Sequence, residues 1–209
     1  MAAHIDEQQE LDNFKYFWKK TGRWVFVLLV LAALGYLGYT MYQRHLVTKN
    51  QEAAEVLAQM VEKVQQKQDP KLANADLLKL QQDYPETVAA AQATLMAAAS
   101  EFDAGRHDVA AGHLNWVLKN QPAPLVQALA AQRLAVVKMQ QKKYDEALTV
   151  LDTKVEADFE PLLLDTKGDV YAAQNKAKEA VQSYDQALAK MPQEAAGRDL
   201  IQMKRDALK

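Results

Sequence analysis

The sequence predicts an all-α protein in which one membrane-spanning helix near the amino terminus is followed by an array of paired helices. A stretch of 20 residues, 24–43, contains no ionisable Asp, Glu, Lys, Arg or His. The chain after it is rich in Ala, Leu, Gln and Lys and has almost no β-branched alternation, which is typical of helices. Small residues recur in that part at intervals of 33 to 37 residues, as expected for a repeated helical unit.

Residues 24–43, WVFVLLVLAALGYLGYTMYQ, are predicted to form the transmembrane helix. At about 1.5 Å per residue this stretch reaches roughly 30 Å, the thickness of a hydrocarbon core, and a helix satisfies its own backbone hydrogen bonds there. Trp24 and Tyr42 lie towards its two ends, where aromatic rings settle at headgroup level, and Gly35 and Gly38 lie between them.

Two alternatives to a transmembrane anchor are open for this stretch. A buried helix of a soluble protein is rarely apolar over such a length. A cleaved signal peptide has a shorter apolar region that ends at a small-residue A-x-A site, whereas this one continues into Gly-Tyr-Thr-Met-Tyr-Gln-Arg. We therefore favour an uncleaved anchor.

Basic residues are distributed unequally about the anchor. Lys15, Lys19, Lys20 and Arg23 precede it closely, whereas only Arg44 and Lys49 follow it closely. Because positive charge stays on the cytoplasmic side, the amino terminus is expected inside and the carboxy-terminal domain outside. The predicted divisions are a cytoplasmic segment, an anchor and an external helical domain, at residues 1–23, 24–43 and 44–209.

The segment before the anchor carries a single apolar stripe at helical spacing, formed by Leu11, Phe14, Phe17 and Trp18. Acidic residues crowd its start and basic residues its end, an order that suits the helix dipole. We expect a short amphipathic helix at the membrane interface. The alternative is a helix that docks on another membrane subunit.

The last part of the chain carries the clearest repeat. Its key positions are Gly168 and Tyr171 in one predicted helix, Ala180, Tyr184 and Ala187 in the next, and Pro192 after it. This spacing matches the tetratricopeptide pattern. The small residues are expected to let the two helices approach closely, while the tyrosines fill the space between pairs.

Three earlier units repeat this pattern less completely. A small residue opens the second helix of each, with a leucine four positions later, in the pairs Ala73 and Leu77, Ala110 and Leu114, and Ala147 and Leu151. Prolines close two of these units, and Phe159 replaces the proline of the third. Residues 195–208 are predicted to form a last helix that caps the open end. The predicted fold is thus a tetratricopeptide-like solenoid, with a plain antiparallel bundle as the alternative.

Little in the sequence points to chemistry. The chain has no Cys, which removes disulfides and thiolate sites, and its net charge of −2 gives no electrostatic reason to expect nucleic acid. Glycine-rich phosphate loops and the common hydrolase motifs do not occur. We therefore expect a protein that is not an enzyme, without catalytic or metal-binding residues, a cofactor or a small-molecule substrate.

Two residue pairs are candidates for a metal or acid site. His107 and His113 are six positions apart, so they do not share a helical face and predict no metal site. Asp165 and Asp169 are four positions apart and share a face, which could bring two acids together. A solvated face near Lys167 and Lys176 is the favoured interpretation.

Tetratricopeptide arrays bind partners on the concave side, through positions two, five, nine and twelve of the repeat. By this resemblance the candidate partner-binding groove comprises Leu95, Phe102, Leu129, Val136, Met139, Leu162, Asp165 and Asp169. The helix that carries Leu129, Val136 and Met139 is apolar nearly all round. Such a helix is either fully buried or shares one face with a ligand, so these three residues belong either to the core or to a groove.

An FKYFWKKTGRW stretch before a single anchor, followed by a weak tetratricopeptide-like array, resembles the bacterial family of ancillary SecYEG translocon subunits. The resemblance implies an inner-membrane protein with its repeat domain in the periplasm. The implied partners are translocon subunits, a membrane-anchored periplasmic chaperone of the prolyl-isomerase type, and exported polypeptides. An envelope enzyme or accessory factor acting on the cell wall, and a scaffold for cell division or another membrane complex, are the alternatives.

Overall fold

A computed structural model describes residues 15–16, 18–67 and 70–208. Of the predicted amphipathic stripe, Leu11, Phe14 and Phe17 lie outside the described residues, and Trp18 is exposed. The chain divides into two compact units, residues 1–49 and 50–209.

The described residues form helices and no strands, which confirms the predicted all-α class. A π-helical turn, Trp18–Gly22, precedes the first α-helix, and a 3-10 turn, Ala157–Phe159, lies late in the chain. The α-helices are α1 (Arg23–Gln65), α2 (Pro70–Asp83), α3 (Val88–Asp103), α4 (His107–Asn120), α5 (Pro124–Gln140), α6 (Tyr144–Leu151), α7 (Glu160–Ala173), α8 (Ala177–Lys190) and α9 (Arg198–Asp206).

The unit of residues 1–49 contains the predicted anchor. Among the residues described, α1 is the one helix that is long and apolar enough to cross a membrane, and none of its apolar window is buried. Trp24 and Tyr42 are exposed, and nothing lies within 4 Å of where a Cβ on Gly35 or Gly38 would be. The helix does not end with the apolar stretch, because it continues without a break to Gln65.

In the unit of residues 50–209, the helices are joined in pairs by turns of one recurring design. The turns that connect α3 to α4, α5 to α6 and α7 to α8 place Gly105, Lys142 and Asn175 in the left-handed region, at φ values of 74°, 60° and 60°. In each turn the next N–H donates to the carbonyl five residues back, as Arg106 does to Glu101. This is the Schellman ending of a helix, and its recurrence makes the paired helices alike.

Burial follows the predicted repeat register. Ala110, Ala147 and Ala180, which open the second helices, are fully buried, and the leucines four positions after the first two are buried as well. The first unit also forms a pair, in which Val56 and Met60 of α1 pack with Leu77 and Leu80 of α2. The tetratricopeptide-like fold that the sequence predicts is therefore confirmed.

The last pair packs around one aromatic ring. A Cβ on Gly168 would clash with the ring of Tyr184 at Cε1, so the glycine makes room for the ring. Tyr184 thus packs within the pair of α7 and α8, in addition to the predicted place between successive helical units. The capping helix α9 is shorter than predicted and begins after Gly197, whose φ is 84°. Its Ile201 is buried in the same cluster as Tyr184.

Candidate partner-binding groove

A groove lies between α3 and α5, the first helices of two successive pairs. It consists of two adjoining cavities, of about 230 Å³ and about 390 Å³. Phe102 and Val136 line the smaller cavity, and Leu95 lines the larger one. Ala99 and Arg133 border both. We call this surface the α3–α5 groove.

The composition of α3 explains why a groove forms here. Thr87 caps the helix by accepting a hydrogen bond from the N–H of Ala90, which fixes where the helix begins. Ala90, Ala93 and Ala98 are buried, and such small side chains let neighbouring helices pack closely on that side. The larger Leu95 and Phe102 are half-buried. They pack against the core cluster that includes Ala98 and also line the cavities of the groove.

The structure brings together three of the eight predicted groove residues, Leu95, Phe102 and Val136. Leu129 is half-buried and lies one helical turn before Arg133. Met139 packs against the core cluster of the α5–α6 pair, which includes Ala135 and Ala147. One face of the apolar helix α5 therefore packs in the core, and Val136 of the same helix borders the groove.

The other three predicted residues lie beside the capping helix. Leu162 and Asp165 border a separate cavity with Ile201 of α9. Lys204 Nζ of α9 lies 3.0 Å from Asp165 Oδ1 and 2.9 Å from Asp169 Oδ2. The first-helix face of the last pair is thus occupied by the chain's own final helix.

Charges in this cluster affect one another. Burial, together with the nearby Asp169 carboxylate, raises the pKa of Asp165 above its usual value, although Lys204 opposes the shift. Burial lowers the pKa of Lys204, but its hydrogen bonds to both carboxylates outweigh burial and raise it overall. The hydroxyl of Tyr184 donates to Asp169 over 2.8 Å. The sequence suggested Lys167 as a neighbour, whereas Lys167 pairs with Asp152 at 2.9 Å.

Sequence reasoning missed Arg133, Met96 and Val126 as groove residues. Position five of the third repeat unit is Gln132, and Arg133 follows it directly. Val126 lies seven positions before Arg133, and Val136 lies three positions after it. That spacing places the three on one helical face. The pattern was therefore available in the sequence, but the fixed repeat positions selected Gln132, the neighbour of Arg133, instead.

The groove is suited to binding apolar side chains. Leucine, phenylalanine and valine side chains line it, and Arg133 and Asp103 supply its charged groups. Over the ranges 15–16, 18–67 and 70–208, no group of three or more His, Asp or Glu residues could hold a metal ion. The ring centroid of His107 lies 5.2 Å from that of Phe102.

Comparison with known proteins agrees with this geometry. The family model described as a tetratricopeptide repeat-like domain matches residues 15–209. The ancillary SecYEG translocon subunit of Neisseria gonorrhoeae is 68% identical over 209 residues, which cover 100% of both chains. The chain belongs to the ancillary SecYEG translocon subunit family. This confirms the resemblance found in the sequence.

More distant members of the family match over nearly the same length. The ancillary SecYEG translocon subunit of Haemophilus influenzae is 28% identical over 187 residues, 90% of this chain and 91% of the relative. That of Aggregatibacter actinomycetemcomitans is 27% identical over 207 residues, 98% of both chains. These relatives are named as translocon subunits, and the tetratricopeptide-like repeat is a fold for protein–protein interaction.

Proposed function

We propose that this protein is an inner-membrane-anchored interaction module that serves the Sec translocon as an ancillary subunit. The observation that carries the proposal is the α3–α5 groove, an apolar surface on a repeat domain whose chain also contains a helix able to cross a membrane. Exposed apolar grooves of this kind bind helices or extended segments of partner proteins. Membership of the translocon-subunit family gives the complex in which the groove would act.

The proposed arrangement has residues 1–23 in the cytoplasm, residues 24–43 in the membrane and the repeat domain in the periplasm. The excess of basic residues before the anchor supports this orientation. On the periplasmic side the repeat domain would meet exported polypeptides as they leave the channel. We further propose that it works there with a membrane-anchored chaperone of the prolyl-isomerase type, as the resemblance implies.

The test is to capture partners of the full-length protein from membranes in mild detergent and identify them by mass spectrometry. Ala99 borders both cavities and is itself exposed, so Ala99→Trp fills the groove without entering the core. We expect this variant to keep its melting temperature and lose partner capture. Ala189→Trp, at an exposed position of α8, is the matched control and should capture partners normally.

Two results would contradict the proposal. One is a folded Ala99→Trp protein that captures every partner as the wild type does. The other is wild-type capture of cell-wall or cell-division proteins without translocon subunits, which would support the alternative of an envelope scaffold or accessory factor. Val136→Asp with Met139→Asp is a weaker test, because Met139 packs against the core and its replacement would unfold the pair.

A further inference from the structure

Arg133 differs from the other arginines of residues 70–208. Arg106 forms an ion pair with Glu101, and Arg205 forms one with Asp185 at 3.1 Å. Arg198 donates to the carbonyl of Leu188 over 2.6 Å. Within the described part of the chain, Arg133 has no hydrogen-bond or ion-pair partner.

The position of Arg133 in the groove is equally specific. The side chain of Arg133 borders both cavities, of which Phe102 lines one and Leu95 lines the other. Asp103 lines the smaller cavity but not the larger one. A ligand that enters both cavities therefore passes a positive charge at its middle and a negative charge at one end.

We propose that the α3–α5 groove binds a helical segment of a partner protein that carries an acidic side chain between two apolar side chains. The apolar side chains occupy the two cavities, and the carboxylate pairs with Arg133. A guanidinium group presents a planar set of donors that matches a carboxylate in two parallel hydrogen bonds. Asp103 repels a second acid at one end and so favours a single acidic position.

The spacing of the groove residues defines the segment further. Leu95 and Phe102 are seven positions apart on α3, a separation of about 10 Å along the helix axis. A ligand helix places side chains i and i+7 at the same separation, with i+3 or i+4 between them on the same face. The motif is therefore apolar at i, acidic at i+3 or i+4, and apolar at i+7. This inference rests on the function proposed for the groove and names the chemistry of its partner.

The test measures binding of labelled peptides to the full-length protein in detergent by fluorescence anisotropy. Each peptide has about 15 residues, enough for four helical turns, with both ends capped and leucines at i and i+7. The three versions carry glutamate, glutamine or lysine at i+4. We expect the glutamate peptide to bind about five-fold more tightly than the glutamine peptide, as for a partly exposed ion pair, and less so at high salt.

A charge reversal supplies the decisive comparison. Arg133→Glu should reverse the order, so that the lysine peptide binds more tightly than the glutamate peptide. Lys178→Glu makes the same change at an exposed position of α8 and should leave the order as in the wild type. Equal binding of all three peptides to the wild type, or binding of none, would overturn the proposal. The proposal would also be overturned if the peptides bound only with a free terminal carboxylate, and equally tightly whichever residue they carried at i+4.

Partner capture separates this inference from the function on which it rests. If Ala99→Trp abolishes capture and Arg133→Glu does not, the groove binds partners but the acidic motif is wrong. If Ala99→Trp has no effect on capture, the groove is not the partner site and both proposals fail.

Discussion

At the scale of single residues, the absence of a side chain at Gly168 sets the distance between α7 and α8. The ring of Tyr184 occupies the space that a Cβ would need. Tyr184 is 2% exposed, and its hydroxyl is held by Asp169, so the ring has little freedom to move aside. A buried ring held at both ends makes this contact intolerant of added volume.

We predict that Gly168→Ala destabilises the protein by about 1–3 kcal/mol, the usual range for an overpacked core. Gly112 is the matched control, because it is an exposed helical glycine with nothing within 4 Å of the Cβ position. Gly112→Ala should stabilise the protein by about 0.5–1 kcal/mol, since alanine favours the helix. Denaturant melts of both variants measure the difference. Equal effects would mean that the tyrosine ring does not lie over Gly168.

At the scale of secondary-structure elements, α9 closes the array through one polar cluster and one apolar contact. Ile201 enters the core of the last pair, and Lys204 reaches two carboxylates of α7. The two carboxylates are not equivalent. Asp169 also accepts from Tyr184, whereas Asp165 is a partly buried acid whose pKa is raised by burial and by its neighbour.

We predict that Asp169→Asn destabilises the protein and that Asp165→Asn does not. Asp169→Asn weakens two hydrogen bonds in a partly buried cluster and should destabilise the protein by about 1–3 kcal/mol. Asp165→Asn removes a carboxylate whose ionised form is disfavoured on folding, so this variant should be at least as stable as the wild type at neutral pH. Thermal melts in parallel measure both.

The pH dependence follows from the same pKa shift. An acid whose pKa is raised on folding takes up its proton at a higher pH in the folded state than in the unfolded state. Above the folded-state pKa, ionised Asp165 therefore lowers the free energy of unfolding. This effect disappears as the pH falls to 3.8, the usual pKa of the carboxyl group. Any advantage of Asp165→Asn should thus shrink between neutral pH and about pH 4. A difference that grows on acidification would contradict the raised pKa.

At the scale of the whole molecule, the basic residues near the anchor predict its orientation in the membrane. Four basic residues before the anchor against two close after it favour a cytoplasmic amino terminus. We predict that alkaline phosphatase fused after Lys209 is active in a bacterial host, because that enzyme folds only outside the cytoplasm. A β-galactosidase fusion at the same point should be inactive. The reverse pattern would show that the repeat domain faces the cytoplasm.

The basic residues themselves provide the control for this prediction. Replacing Lys15, Lys19, Lys20 and Arg23 by glutamine should lower phosphatase activity, since the charge difference that sets the orientation is removed. The same number of lysines changed in the repeat domain, far from the anchor, should leave activity unchanged, because distant charges do not determine orientation.

The candidate groove shows which of its residues could be predicted from their positions in the repeat. Leu95, Phe102 and Val136 line the cavities, as expected from their fixed places in a repeat whose helix geometry is regular. Arg133 was missed because those places say where a residue lies and not whether its charge already has a partner. Leu162, Asp165 and Asp169 occupy equivalent places, but α9 lies beside them, and contacts between residues so far apart in sequence, such as Asp165 and Lys204, leave no local pattern.

The sequence by itself determined what depends on local composition and spacing. An uncharged stretch of 20 residues predicted the membrane-spanning helix, and recurring small residues predicted the helix pairs. The family was indicated by resemblance, through the FKYFWKKTGRW stretch and the anchor that precede the repeats. Only the tertiary structure decided which side chains are covered and which charges are paired, because those depend on neighbours brought together by packing. It placed Tyr184 within a pair, put Lys204 on two acids, and left Arg133 without a partner among the described residues, beside two apolar cavities.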